Sequence, residues 1–138
     1  MGDVTVKVTT TLDQGSTDEA IGYGPMVLHY EFDDGLPQST GHYDVGETDP
    51  TSLWENNCGA TEKTCQGHQY FGGYNECAQG HSFWRVFEKR NMHPATTKLT
   101  LTGKIWTIDS WDGETFTVDM RDSQGNVLDT QQFQGNNF

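Results

Sequence analysis

The sequence predicts an all-β protein, an antiparallel β-sandwich of the jelly-roll type. Three observations support this fold class: apolar and polar residues alternate with a period of two in several segments, Gly-rich turns separate these segments, and helical periodicity is almost absent. Short strands at this spacing are typical of sandwiches and jelly rolls. A chain of 138 residues is long enough to bury a core and is predicted to form a single domain, 1–138.

The first two predicted strands lie in the N-terminal quarter of the chain. Residues 4–12 alternate and are rich in β-branched side chains, so the three valines of this segment should face inward. A second strand is predicted at 26–32, after a long acidic loop at 13–25. Residues 33–51 are rich in Gly, Pro, Ser and Asp, and they indicate an irregular excursion that need not pack on the core.

The C-terminal half carries further strand signals. Alternating or β-branched and aromatic segments predict strands at residues 82–87, 97–108, 115–120 and 127–133. A turn at 122–126 makes the last two strands a hairpin, and a short acidic bend connects the two strands before it. These elements form the main body of the predicted sandwich, residues 33–138.

The acidic bend contains Asp109, Trp111, Asp112 and Glu114. Asp112 precedes a glycine, and this pair favours a turn because Gly accepts positive φ. A solvent-exposed acidic turn is the simpler interpretation, but an exposed loop has little use for an indole, so Trp111 argues against it. The three carboxylates could instead converge on a hard cation such as calcium, which takes about six to eight oxygen ligands.

A second acidic segment lies near the N-terminus and contributes Asp13, Asp18 and Glu19. We expect the two acidic segments to meet around one calcium ion, because carboxylates within several ångströms of one another are mutually destabilising without a cation. Backbone carbonyls and water would complete the ligand shell, while magnesium would require a tighter octahedron. If the segments lie far apart, each is only a solvated turn.

The charge balance limits the classes of partner. The chain has 20 acidic and 8 basic residues, for a formal net charge of −12. This charge opposes binding to nucleic acid or to an anionic membrane surface and favours cations. No segment approaches the length of a transmembrane helix, and no signal peptide is predicted at the N-terminus. The missing signal does not indicate a cytosolic location.

The three cysteines, Cys58, Cys65 and Cys77, lie together in a Gly- and Asn-rich segment. Their clustering predicts one intrachain disulfide in an oxidising location, with the remaining thiol available to a neighbouring chain. Zinc is an alternative, with His68 as a fourth ligand, but the spacings do not match a compact zinc knuckle. A catalytic cysteine has no local signature here.

Two further functional alternatives depend on other side chains. A carbohydrate-binding module could stack sugars on exposed aromatic residues, although such residues in Gly-rich loops are as often loop anchors. The candidates are Trp54, Tyr70, Phe71 and Tyr74. A glycoside hydrolase could use Asp109 and Glu114 as its acid and base. No base, nucleophile and orienting group are placed together, so enzymatic activity is not expected.

The motif IDSWDGE at 108–114, preceded by GGYN at 72–75, resembles the "IDSWD-x-E" modules of cell-surface proteins in ciliates and other protists and of some large bacterial adhesins. The chain contains the elements of that family pattern in the same order: Cys58 and Gly59, residues 72–75, residues 83–87, His93 and residues 109–114. Residues 12–22, LDQGSTDEAIG, resemble a second family signature, "LDQ-x-x-x-DE-x-x-G". The resemblance covers roughly half of the chain.

The order of these signatures differs from the family pattern, in which the DE segment lies near the end of the module. The chain therefore resembles a permuted module. Residues 1–32 either complete the sheet of their own subunit, or complete that of a neighbouring subunit by donor-strand exchange. The second arrangement is a heterologous contact that produces an open filament. The odd cysteine count and the polar tail at 134–138 favour assembly slightly.

The resemblance implies a non-enzymatic structural or adhesive module, located outside the cell or on its surface. Such a module would be a subunit of a surface filament or repeat array, stiffened by calcium and a disulfide. Its expected partners are other copies of the same chain, and glycans under the carbohydrate-binding alternative. Fold alone does not decide between these functions, because a jelly roll hosts many activities.

Overall fold

The computed structural model describes residues 2–13, 19–33, 35, 40–42, 54–65, 67–73, 76–109, 111 and 113–134. Within these residues the chain forms ten strands and one short 3₁₀ turn at Lys89–Asn91. The strands are β1 (Val4–Thr10), β2 (Glu19–Phe32), β3 (Thr40–His42), β4 (Glu55–Asn56), β5 (Glu62–Cys65), β6 (His68–Gly72), β7 (Ser82–Phe87), β8 (Thr96–Asp109), β9 (Thr115–Arg121) and β10 (Val127–Gln134). No helix in the described part of the chain is long and apolar enough to cross a membrane.

The strands form two antiparallel sheets of five strands each, which confirms the predicted all-β sandwich. Sheet A has the order β10-β9-β1-β7-β4. Sheet B has the order β3-β2-β6-β5, and β8 pairs with β2 along the opposite side of that strand. Among the described residues, β10 is therefore one edge of sheet A and β8 is one edge of sheet B. The jelly-roll connectivity and the permutation stay predictions.

The N-terminal segment pairs with strands of the same chain. β1 lies in the centre of sheet A, with Val6 opposite Arg85 of β7 on one side and Met120 of β9 on the other. β2 forms a long ladder with β8, which runs from Glu19 opposite Asp109 to the far end of both strands. Both N-terminal strands thus have partners within a single subunit, and an exchange between subunits stays a prediction.

The core lies between the two sheets. Val4, Val6 and Val8 have no exposed surface, as the alternation of residues 4–12 predicts. From sheet B, the fully buried Tyr23 stacks on Phe83 of sheet A with a ring separation of 4.3 Å. These contacts bury the apolar face of each sheet, which is the dominant favourable contribution to the stability of a sandwich.

Most of the predicted strands are confirmed, but one boundary is wrong. The predicted strands at 82–87, 97–108, 115–120 and 127–133 correspond to β7, β8, β9 and β10 within about two residues. The predicted loop at 13–25 is wrong in its second half, because β2 already begins at Glu19. Pairing with β8 overrides the weak local strand signal there. Most of the predicted excursion at 33–51 lies outside the described residues, and β3 falls within it.

Candidate cation site

The candidate site lies where the chain passes between the two sheets. The segment after β1 leads from sheet A to sheet B, and the segment after β8 leads back to sheet A. The first of these segments contains Asp13 and the second contains Glu114. Because β2 starts opposite the last residue of β8, both crossings lie at the same end of the sandwich. The two acidic segments of the sequence therefore meet at this end.

Three of the six predicted ligand residues come together here. Asp13, Glu19 and Glu114 each offer a carboxylate oxygen, and these oxygens lie within 4.8 Å of one another. Calcium binds oxygen at about 2.3–2.6 Å, so two oxygens on one ion are at most about 5 Å apart. Asp13 is exposed, Glu114 is half-buried, and Glu19 has no exposed surface. The spacing is compatible with a shared divalent cation that approaches from the side of Asp13.

Hydrogen bonds hold the first acidic segment in place. The Thr11 N–H donates to the Thr115 carbonyl at 2.9 Å, and the Thr115 N–H donates to the Thr11 hydroxyl at 2.9 Å. The β1–β9 pairing is thus extended by one step beyond the strands. Two residues later, the Asp13 N–H donates to Oε1 of Glu19 at 2.8 Å. This bond joins the segment that follows β1 of sheet A to Glu19, the first residue of β2 in sheet B.

Trp111 holds the second acidic segment. Its indole is 1% exposed, and Nε1 donates to the carbonyl of Ala20, the neighbour of Glu19, at 2.9 Å. Its ring meets Phe116 edge-on at 6.3 Å. The burial that the sequence suggested for this indole is confirmed. Trp111 fixes the bend after β8 onto the start of β2, and Gly113, with a φ of 90°, then turns the chain toward Glu114.

The other predicted ligands have different outcomes. The backbone of Asp109 ends β8 opposite Glu19, while its side chain, together with Asp18 and Asp112, lies outside the described residues. The burial of Glu19 was not predicted, since the sequence indicated a loop at this position. The available signal was the group of apolar residues that follows Glu19, namely Ala20, Ile21 and Tyr23. Ile21 and Tyr23 are two positions apart, as residues on one face of a strand are.

The predicted intrachain disulfide is confirmed and joins Cys58 to Cys77. Cys77 is fully buried, and its carbonyl accepts the Ile21 N–H at 2.9 Å. The disulfide thus ties the segment after β6 to the segment after β4, and the Ile21 hydrogen bond joins it to β2. The zinc alternative is wrong for this oxidised state, because two of its four ligands are not thiolates. The side chain of Cys65, the predicted spare thiol, lies outside the described residues.

A charged network supports the same segment. The Glu76 carboxylate is bonded to the Lys63 ammonium and to the hydroxyl and N–H of Thr61, and Lys63 also donates to the Gly72 carbonyl at 2.7 Å. Partial burial raises the pKa of Glu76, but the hydrogen bonds from Lys63 and Thr61 outweigh it, so the net pKa lies below its usual value of 4.5. The folded state thus favours the charged form.

This network predicts an acid-dependent loss of stability. A lowered pKa means that the stabilisation by Glu76 is fully present above about pH 4.5 and is lost as the pH falls through the lower pKa of the folded state. Glu76→Gln should cost about 1–3 kcal/mol at pH 7. The difference from the wild type should shrink in urea unfolding series below pH 4.5. A difference that is independent of pH would contradict the prediction.

The predicted sugar-binding platform is only partly possible. Trp54 is 5% exposed and contacts Tyr23 and Phe83 in the core. Phe71 also stacks on Tyr23, at 5.7 Å. Trp54 is therefore a core anchor, and its predicted exposure is wrong, whereas Phe71 is half-buried against the core. Tyr70 is half-buried beside Trp106 at 5.9 Å, and Tyr74 lies outside the described residues.

The fold and the site define an all-β, disulfide-linked sandwich with a carboxylate cluster where its two sheets meet. No family model, no curated protein and no solved structure matches the chain. The resemblance to surface modules thus rests on the motifs alone, and a function has to be argued from the arrangement of residues.

Proposed function

We propose that this protein is a non-enzymatic structural or adhesive module of the extracellular space or a cell surface, stiffened by a calcium ion at Asp13, Glu19 and Glu114. One observation carries the proposal: a carboxylate with no exposed surface, that of Glu19, lies within 4.8 Å of two others. The disulfide supports the location, because such bonds persist in oxidising compartments. The motif resemblance supports the same location and role.

The electrostatics of the cluster favour a cation. At the spacing of these oxygens, two unit charges at an effective dielectric constant of about 20 repel each other by roughly 3 kcal/mol. A buried carboxylate also loses its hydration, which is costly unless the charge is compensated. One divalent ion replaces this repulsion by attraction. Because Asp13 and Glu114 adjoin sheet A and Glu19 begins sheet B, the same ion would tie the two sheets together at one end.

The chemistry of the ligands fits calcium in an extracellular setting. All three side chains offer hard oxygen ligands, and Asp13 leaves one side of the cluster open for water. Extracellular calcium modules work at dissociation constants of about 10⁻⁴–10⁻³ M, so a small set of ligands is sufficient there. In this proposal calcium has a mechanical role, in which it stiffens a module that binds other copies of itself.

Calcium is expected to raise the melting temperature of the wild-type protein. At a concentration about 100 times the dissociation constant, a bound ion contributes roughly 2.7 kcal/mol, which corresponds to an increase of about 10 °C for a domain of this size. Glu114→Gln should remove most of this response. Calorimetry with and without calcium measures this response.

Glu62→Gln is the matched control, since this exposed strand glutamate lies outside the cluster and should keep the full calcium response. A wild-type melting temperature that does not change with millimolar calcium would refute the cation. Equal calcium responses in Glu114→Gln and the control would refute the proposed ligands.

Carbohydrate binding is a second candidate, favoured by the half-buried pair Tyr70 and Trp106. In sheet B, Trp106 lies opposite Gly22. The residues on either side of Gly22, Ile21 and Tyr23, are buried in the core. Because successive residues of a strand point to opposite faces, Trp106 and Tyr70 belong to the outer face of the sheet. An aromatic pair on an outer face can stack on the apolar face of a sugar. Glycan-array binding that is lost in Tyr70→Ala would support this candidate, and the absence of any binding by the wild type would exclude it.

A further inference from the structure

Two glycines seat the aromatic pair Tyr70 and Trp106 on the outer face of sheet B. An added Cβ at Gly22 would lie 3.0 Å from Cδ2 of Tyr70, and one at Gly73 would lie 3.3 Å from Cε2. The Tyr70 ring therefore packs against bare backbone, with the Trp106 ring 5.9 Å away. Both residues are half-buried, so the pair sits low on the sheet and still presents apolar surface to solvent.

On the side of β5, an ion pair borders the aromatic pair. Lys63 lies opposite Tyr70 in the β5–β6 ladder, so the two side chains share the outer face. The Lys63 ammonium is bonded to the Glu76 carboxylate and donates to the Gly72 carbonyl at 2.7 Å. The charge of Lys63 is therefore already compensated, and this side of the aromatic pair carries no net charge from it.

On the side of β8, Lys104 borders the aromatic pair. It precedes Trp106 by two residues, so both side chains lie on the outer face, whereas Ile105 between them packs against the core. Lys104 is exposed, and it forms no ion pair with another described residue. The other lysine of this strand, Lys98, lies opposite Glu31. Within the described part of the chain, Lys104 is thus a cation without an acidic partner beside an aromatic surface.

We propose that Tyr70, Trp106 and Lys104 bind an anionic saccharide, a pyranose that carries a carboxylate or a sulfate group. The apolar face of the sugar stacks on the two rings. Its acid group accepts a charge-assisted hydrogen bond from the Lys104 ammonium. This inference rests on the carbohydrate-binding candidate of the preceding subsection, and it deepens that candidate by naming the class of sugar. It does not require the cation site.

The spacing along β8 suits a sugar that contacts both residues at once. Positions two apart in a strand are separated by about 7 Å. The four-carbon stem of Lys104 is flexible and carries a compact charge, so its ammonium can approach an acid group on a ring that stacks on Trp106. A neutral sugar makes the same stacking contact but offers no anion to Lys104. The lysine therefore distinguishes acidic from neutral sugars.

The net charge of −12 limits the size of the anion rather than excluding it. At physiological ionic strength the Debye length is about 8 Å, so the more distant carboxylates are screened and Lys104 dominates the potential close to it. A long polyanion would extend over the acidic remainder of the surface and be repelled there. The site should therefore prefer short acidic saccharides to extended polymers of the same sugar.

The experiment is isothermal titration calorimetry with three short probes: an oligogalacturonate, its methyl ester and a sulfated galactose oligosaccharide. The ester is the matched neutral probe, because it differs from the oligogalacturonate only at the acid group. The wild-type protein should bind at least one of the two anionic probes about tenfold more tightly than the ester. A chelator is present throughout, so that calcium cannot bridge the sugar to the carboxylate cluster. The ranking of the two anionic probes identifies the preferred acid group.

Two variants with the same change in charge test the role of Lys104. Lys104→Gln should reduce the affinity for the anionic probe to that for the ester, whereas Lys98→Gln, on the same face of β8 but beside Glu31, should keep the preference. Far-ultraviolet circular dichroism verifies the fold of each variant.

The outcomes separate this inference from the carbohydrate-binding candidate. No binding of any probe by the wild type would overturn both. Equal affinities for the anionic probes and the ester would overturn only the anionic class of sugar. A preference that survives Lys104→Gln, or that is lost equally in Lys98→Gln, would also overturn it, because the selectivity would then not come from Lys104.

Discussion

Replacement of Trp111 by Ala is expected to lower the free energy of unfolding by about 3–5 kcal/mol. The indole is 1% exposed and is among the largest fully buried side chains of the described residues. Its removal leaves a cavity at the end of the sandwich and withdraws the donor from the Ala20 carbonyl. Urea unfolding of the two proteins in chelator measures the difference, so that a change in cation binding does not contribute.

The hydrogen bond can be separated from the packing with matched variants. Trp111→Phe keeps most of the apolar contact but leaves the buried Ala20 carbonyl without its indole donor, at a cost of about 1–3 kcal/mol. Trp84→Phe removes the same type of donor from an exposed bond to Glu55, where water can replace it. The control should therefore lose much less stability. Equal losses in the two variants would contradict a special role for the Trp111 bond.

Trp111→Ala is also expected to disturb the carboxylate cluster. Trp111 links the bend after β8 to the residue that follows Glu19, so the position of Glu114 depends on that anchor. We therefore expect Trp111→Ala to lose the calcium response as well as stability, whereas Trp84→Phe keeps it. A full calcium response in Trp111→Ala would mean that the strand ladders alone position the three carboxylates.

The strands of the C-terminal half could be predicted because their signal is local. In β8 and β9, apolar residues recur at every second position on either side of the bend, and this pattern reports directly which face is buried. The turn at Gly113 could be predicted for a similar reason, since an Asp-Gly pair favours a turn and Gly113 has the positive φ that the turn requires. The turn at 122–126 was predicted from its Asp, Ser, Gly and Asn residues, and Gly125 adopts a φ of 84° there.

The burial of Glu19 and Trp54 could not be predicted in this way. Glu19 follows a polar segment that is typical of a loop, and only its pairing opposite the end of β8 brings it into a sheet. Trp54 belongs to a Gly- and Asn-rich region, and its burial results from contacts with Tyr23 and Phe83 on distant strands. Both outcomes depend on long-range partners, which the neighbouring residues do not specify.

The cluster is an intermediate case. Two acidic segments in an otherwise alternating chain suggested that their charges would have to be compensated. The fold then supplied the geometry, because both segments cross between the sheets at the same end. Which oxygens meet depends on β1 pairing with β9 and β2 with β8, and the sequence offered no register for either ladder.

Gly72→Ala is expected to cost about 2–5 kcal/mol, from backbone strain and steric overlap together. Gly72 has a φ of +88°, and an added Cβ would lie 2.9 Å from the Ile21 carbonyl oxygen and 3.0 Å from Sγ of Cys77. Neither neighbour can move freely. The Ile21 carbonyl accepts the Gly73 N–H at 2.9 Å, and Cys77 is held by its disulfide to Cys58.

Gly80→Ala is the matched control, because Gly80 has a φ of +76° but no heavy atom within 4 Å of an added Cβ. It should show only the backbone cost of about 1 kcal/mol, so the difference between the two variants isolates the steric overlap. In the reduced protein, Cys77 is no longer tied to Cys58 and can give way, so the two variants should then differ less. An equal difference with and without reductant would mean that the Ile21 carbonyl alone limits the space at Gly72.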